Sequence, residues 1–516
     1  MRVFSHFLHP ARTRVLLFLM LLVLALPAGP VRAAPPLVIN CNDNGAGSLR
    51  DAIAAAASGD TIHFQAGLSC LSTSPITLTT GTLTISTSMT IDGAGATIAV
   101  DGDHAVTVFT TFSAATIAIS NLTIQNSTSV SGRGGGIEKE SGTLTVTNCT
   151  FSGNSAGSGS TNGGGIFNNT GTLTVTNSTF SGNFAGGGGG GIENRGTLIA
   201  TNSTFTSNTA AVGQGGGFGG GINSYGTATV TNSTFSGNAA YVGGGISSNY
   251  HSTLTVTNST FSGNSATYGG GIDLGSVLTA TMTNTIIANS SSGNDLSGTV
   301  GGNNNLTDDS SGTLTGSGNL RSTPALLGSL GNYGGPTQTF TLLPGSPAID
   351  AGAAVGSGPP TNPVPATDQR GLPRVGAPDI GAFESQGSST ITVSPATLPN
   401  GTVGASYSQV ITAAGGTGPY TFAVPSGNLP SGITLATNGT LSGTPTGGGS
   451  FAFTVSATDH GGATGSRAYT LVVTGPGPLP PPQPHPDPVG QPALTPQSQP
   501  TAPVSGVPSA LPPRRP

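Results

Sequence analysis

The sequence predicts an all-β protein: a right-handed parallel β-helix, then an antiparallel β-sandwich, then a disordered proline-rich tail. Three observations predict it. The string GTLTVTNCTFSGN at 142–154 returns at 171–183 with one letter changed. Inside that string the apolar side chains alternate with a period of two, the signature of a strand rather than a helix. The composition, 84 Gly and 6% charged residues with no Trp in 516 residues, lacks the charge of an ordinary domain, roughly 25%. Low charge also argues against a nucleic-acid partner, whose binding needs clustered Lys and Arg.

Residues 1–33 read as a secretory signal peptide. A basic stretch precedes the apolar run VLLFLMLLVLAL, and PAGPVRA supplies small residues for cleavage between Ala33 and Ala34. The run is shorter than the roughly 20 residues of a membrane span, so no transmembrane helix is expected in the mature chain. The expected location is extracellular or at the cell surface, with outer-membrane association as one form of it. In that oxidising setting Cys41 and Cys70 are disulfide candidates, closing a loop worth roughly 3 kcal/mol. Cys149 stands where later copies carry Ser178, Ser203, Ser233 and Ser259, and is read as a small side chain rather than a reactive one.

Residues 34–80 are expected to form an N-terminal cap with one short helix in GSLRDAIAAAASGD, where Ser48 and Asp51 make a capping box and Gly59 a stop. The cap hides strand edges that a solenoid leaves open. Residues 81–320 are the rungs. Phe151, Phe180, Phe205, Phe235 and Phe261 each open an F-x-x-N element, and G-G-G-I ends at Ile137, Ile166, Ile192, Ile222, Ile246 and Ile272. Spacings of 24 to 30 residues vary only in Gly/Ser inserts, which are therefore loops on a regular scaffold. Stacked copies would place Leu144, Leu173, Leu198, Ala228, Leu254 and Ala280 in one inward column. Val146, Val175, Ala200, Val230, Val256 and Met282 would form the next. Asn148, Asn177, Asn202, Asn232, Asn258 and Asn284 form a corner column, where Asn tolerates left-handed angles and its amide can bond the copies above and below. Several of these asparagines are N-x-S/T sequons, which the repeat explains without glycosylation.

The F-x-x-N and G-G-G-I alternation resembles the repeats of the polymorphic outer-membrane protein family, β-helical surface passengers of the pectate-lyase-like solenoid type. GSLRDAI at 47–53 resembles the C-S-L-R-E-A motif of secreted bacterial β-helix proteins, with Gly47 in place of Cys and Asp51 in place of Glu. LLPGSPAIDAG (342–352) and DQRGLPRVGAPDIGAFE (368–384) are similar to the choice-of-anchor Q domain, so residues 321–387 are expected to cap the C-terminal end. Together these resemblances imply an adhesive or structural role outside the cytoplasm and no particular reaction. Within the Q-like segment a functional reading would make Asp350, Asp368 and Glu384 a metal or catalytic group. The expected reading is structural: Asp368 or Asp379 pairs with Arg370 or Arg374 to clamp the C-terminal end of the coil.

Residues 388–474 show alternating strands between Gly/Pro turns. LPSGITLATNGTLSGTPT resembles the bacterial He_PIG Ig-like domain, which implies an Ig-like sandwich. Its ATDHGG turn makes Asp459 the one weak candidate for calcium, an ion that wants six to eight oxygens; an ordinary turn with no cofactor is the expected reading. Residues 475–516 are the proline-rich tail.

The function expected is adhesion or extracellular structure without catalysis, with an extracellular glycan or a surface or matrix component as partner. Two alternatives stand beside it. A polysaccharide lyase or glycoside hydrolase would need placed carboxylates. The outward column Glu138, Phe167, Glu193, Asn223, Ser247, Asp273 offers two, on the order of 9.6 Å apart from the rung spacing, near the inverting separation of about 6.5–9.5 Å. Phe167 stands between them, and neighbouring Lys139 and Arg195 suggest solvated pairs. Asp92, Asp101, Asp103 and His104 read as turns. A glycan-binding module would use Tyr225, Tyr241, Tyr250 and Tyr268, with Tyr241 and Tyr268 as an aromatic strip.

Overall fold

The computed structural model describes residues 35–475, apart from 113, 130, 158–162, 212–215, 278, 387–390, 416–418 and 460–462. The expected signal peptide, with Ala33 and Ala34 at its expected cleavage point, and the proline-rich tail beyond 475 lie outside the described residues. Alternating TLTVT-type segments pair in parallel with their equivalents in the next copy, because register matters most where one face is buried. Leu144 faces Leu173 and Val146 faces Val175, and the same match continues through Leu198, Ala228, Leu254 and Ala280. The result is a twelve-stranded sheet from Leu37–Val38 to Thr313–Thr315.

A left-handed turn at each corner asparagine (φ 53° at Asn148, 51° at Asn177 and Asn202) sends the chain into the second sheet. That eleven-stranded sheet carries the inward phenylalanines. Phe151, Phe180, Phe205, Phe235 and Phe261 are fully buried and stack with successive centroids 4.6, 4.8, 4.7 and 4.4 Å apart. The glycine-rich inserts then lead to a nine-stranded third sheet of I-x-x strands such as Ile192–Asn194.

Four expectations need correction. First, the amide ladder does not run along the corner column. Of that column only Asn148 reaches a neighbouring amide, Asn121 at 3.2 Å, while Asn177 Oδ1 and Asn202 Oδ1 have no partner. The ladder belongs to the buried asparagines of F-x-x-N: Asn154 to Asn183 at 2.9 Å, Asn183 to Asn208 at 2.8 Å, then Asn238 and Asn264 at 2.9 Å each. A left-handed corner turns its side chain outward; the F-x-x-N residue points it into the tube.

Second, rungs begin before residue 81. Asp60–Phe64 already pairs with Met89–Asp92 and with Leu37–Val38, since Ile62 and Phe64 supply the same alternation. The helix is Leu49–Ala55, capped by Ser48 Oγ accepting from Asp51 N at 3.2 Å, and it buries Leu49 and Ile53. Cys41 and Cys70 are joined as a disulfide.

Third, residues 335–384 do not close the end of the coil. They lie along its flank, over the outward column Thr204, Thr234, Thr260, Ile286, Leu306 of the second sheet, which is buried throughout. Gln369 Nε2 donates to Thr204 (3.0 Å), Thr234 donates to Gln369 Oε1 (2.6 Å), and Ala382 N donates to Thr260 (3.0 Å). Farther along, Ala325, Ala348 and Ile380 pack on Ile286, Ala288 and Leu306. Polar threonines with free outward hydroxyls give a polar strap a seat, whereas the coil end offers only strand edges.

Fourth, the column from Glu138 to Asp273 is not solvated. All of it is buried because the glycine-rich insert doubles back over its own strand. A Cβ on Gly189 would lie 1.8 Å from the Ile192 carbonyl oxygen, so this glycine is a steric requirement of the close approach.

Residues 392–474 form sheets that are antiparallel except where Gly401–Thr402 pairs in parallel with Val473 and Thr474, packed around Val393, Tyr407, Phe422, Leu441, Val455, Tyr469 and Leu471.

Candidate functional site

The third sheet and the insert that covers it build the one cleft with both charge and aromatic walls among the cavities described. Just beyond each I-x-x strand one residue leaves the covered column for the surface. In successive rungs these are Asn169, Arg195, Tyr225 and Asn249, each held by a backbone bond to the rung before. Arg195 and Tyr225 are thus stacked neighbours, and Tyr250 adds a ring 5.1 Å from Tyr225. Phe218, carried by the insert, completes a cleft of about 550 Å³. That volume suits a small ligand.

Arg195 sits between rings. Its guanidinium carbon lies 5.4 Å from the Phe167 centroid and 5.8 Å from that of Tyr225, within cation–π range. Behind it Glu193 is fully buried. Gly189 N and Asn223 Nδ2 donate to Glu193 Oε2 at 3.0 and 2.9 Å. Its other oxygen is ion-paired with Arg195 Nε at 3.6 Å, longer than a hydrogen bond. Burial pushes the Glu193 carboxyl up to about 7 and also raises Tyr225. Arg133 meets the same Phe167 ring at 5.5 Å and pairs with Glu140 at 3.1 Å.

The other candidates are placed differently. Glu138 is two rungs from Glu193, with Phe167 in register between them, and its carboxyl is raised by burial beside Ser131. Lys139 is no solvated partner: it is buried in the inner column, its ammonium donates to the Thr170 carbonyl, and burial lowers it to about 8. Tyr241 and Tyr268 meet edge to face at 6.0 Å, with Tyr268 exposed. Asp92 accepts from Ser120 and Asn121, and Asp101 from Gln125 and Asn126, so these carboxylates tie neighbouring rungs.

In the flank strap Asp368 pairs with Arg370 at 2.7 Å and Arg374 with Glu384 at 2.9 Å, all without side-chain exposure. Asp379 instead accepts from Asp350 N. Burial pushes Glu384 up to about 7. Asp459 accepts from Ala463 N at 2.8 Å across its turn. Cys149 is buried, its thiol pushed up to about 11 by burial, which keeps it unreactive. A second cavity of about 280 Å³, lined by Gly59, Ser88, Met89, Thr90, Thr116 and Ala118, has no charged or aromatic wall.

Comparison with known families agrees with this architecture. Residues 76–261 match the family described as right handed beta helix region, and residues 389–474 match the family described as Putative Ig domain. The chain carries a right-handed β-helix and an Ig domain. Among curated proteins none matches it. Among the described residues of this β-helix protein no helix is long and apolar enough to cross a membrane.

The cleft was not anticipated as a unit. Its signal was the position four after the last glycine of G-G-G-I, where Arg195 and Tyr225 align. Phe218 had no such signal, because it lies in an insert of variable length.

Proposed function

We propose that this protein works outside the cytoplasm as a surface-associated β-helix that binds glycan and serves adhesion or extracellular structure without turning its ligand over. The observation that carries this reading is the cleft: the aromatic side chains of Tyr225, Tyr250 and Phe218 line it beside the Arg195 guanidinium. The apolar leader of the sequence and the pairing of a β-helix with an Ig domain support the location.

A second reading, glycoside cleavage, draws on Glu193, whose raised carboxyl holds a proton near neutral pH as a general acid does. Such chemistry needs a second carboxyl on the other side of the bond. The nearest in its column is Glu138, across Phe167, which favours binding over cleavage.

A screen of the chain against immobilised glycans, run beside an assay for reducing ends and unsaturated products, separates the two. Saturable binding without product supports the binding reading. Turnover that disappears in Glu193→Gln would establish the enzyme instead.

A further inference from the structure

We propose that the outward face of the first sheet is an ice-binding surface, on which columns of threonine hold water in the arrangement of a growing ice crystal. This face uses none of the residues of the Arg195–Tyr225–Tyr250 cleft.

From Thr143–Thr147 to Thr279–Thr283, six successive strands of the first sheet pair in parallel without a shift of register. The second and fourth residues of each strand point into the tube, so the first, third and fifth point out. Every one of these outward positions is threonine except Ile199. Threonine suits a strand, but so do valine, isoleucine and tyrosine, and a solvent-facing surface is ordinarily about 25–35% charged. No outward position in these six strands carries a charge.

The face is also flat. Adjacent strands of a sheet are ordinarily rotated by about 20–25°. Here the phenylalanines of the same rungs stack with ring planes only 1°, 8°, 5° and 7° apart, so one rung barely turns on the next. The hydroxyls and γ-methyls therefore form a two-dimensional net, about 4.8 Å between rungs and about 6.6 Å along each strand. Oxygen rows in ice repeat at comparable lengths along two perpendicular directions. Each threonine hydroxyl both donates and accepts, as a lattice water does, and the methyl beside it limits where that water can sit. A wall already rigid loses little conformational freedom on adsorbing.

Other occupants fit less well. The net spans about 29 Å by about 13 Å, on the order of 400 Å², whereas a stable protein partner covers about 800 Å² on each side. Protein partners also anchor on Trp, Tyr or Arg, and none stands in these columns. The flank strap bounds the net at one corner, where Asn362 bonds the hydroxyls of Thr231 and Thr257 at 2.8 and 2.9 Å. The first two columns stay clear of those bonds.

The test grows ice slowly in a dilute solution of the full chain and albumin, and reads the freezing and melting points of single crystals in the same solution. The native chain is expected to concentrate in the ice while albumin stays in the liquid, and to hold the freezing point below the melting point. Thr174→Lys/Thr229→Lys, in the middle column, should abolish both effects with circular dichroism unchanged. Thr174→Ser/Thr229→Ser, which keeps the hydroxyls and removes the methyls, should weaken both and serves where lysine disturbs the fold. Phe184→Lys, exposed on another sheet, and Tyr225→Ala/Tyr250→Ala should keep both, which separates this face from the glycan cleft. A native chain left in the liquid with albumin would overturn the inference, as would folded lysine and serine variants that enter ice like the native chain. Retention on crystalline cellulose or chitin without entry into ice would assign the net to a polysaccharide crystal and overturn it too.

Discussion

Asn202 and Asn208 stand six residues apart in one rung and do different work. Asn202 holds a left-handed corner and leaves its side-chain oxygen without a partner. Asn208 is buried, donates to Asn238 and to the Phe180 carbonyl, and accepts from Asn183. Each buried bond contributes about 1 kcal/mol, and stranded partners cost more. Asn208→Ala should therefore lower stability by about 3 kcal/mol in denaturant melts, while Asn202→Gly, free to turn left-handed, should change it by less than about 1 kcal/mol. Both asparagines recur at fixed spacing, so their importance was legible in the sequence. Which one forms the ladder was not, because that depends on whether a left-handed corner throws the side chain out of the tube. Glu193 gives a second prediction. Its folded value of about 7 lies above the 4.5 of an exposed glutamate, so the fold favours the neutral form. That contribution is fully present below about pH 4.5 and is lost as pH rises through about 7. Glu193→Gln should be more stable than the native chain at pH 8, by on the order of 3 kcal/mol, with the gap closing near pH 4. Glu384 adds a slope of the same sign to both proteins, so the difference between them isolates Glu193.

Among the elements, the phenylalanine stack and the flank strap set the strongest constraints. Phe205 is closed in by Phe180 and Phe235 with no exposure. Phe205→Ala should cost about 3–5 kcal/mol, measured as a shift in the urea midpoint. The strap holds buried ion pairs, and removing one partner strands the other. Arg374→Met should therefore cost about 3–5 kcal/mol, against less than about 1 kcal/mol for Arg133→Ala, whose pair with Glu140 is half-exposed. Strand order and register were readable because identical residues pack on each other at a repeat the sequence displays. The strap's seat was not readable. Thr204, Thr234 and Thr260 look like the ordinary outward residues of a strand, and the segment that covers them lies more than a hundred residues away.

For the whole molecule, the stacked rungs make one continuous hydrophobic tube from Val38 to Val300, a rigid wall on which inserts of free length can be displayed. The architecture was therefore legible almost entirely, since it depends on periodic positions. The cleft was only partly so: Arg195 and Tyr225 occupy a periodic position, but Phe218 and Tyr250 come from irregular segments. The proposed binding function belongs to that irregular part, with the regular part fixing its geometry. The most direct test compares glycan binding by the native chain with that of Tyr225→Ala/Tyr250→Ala, with circular dichroism and melting recorded for both. Loss of binding on an unchanged β-helix is the predicted result, and binding that survives both substitutions would contradict the account.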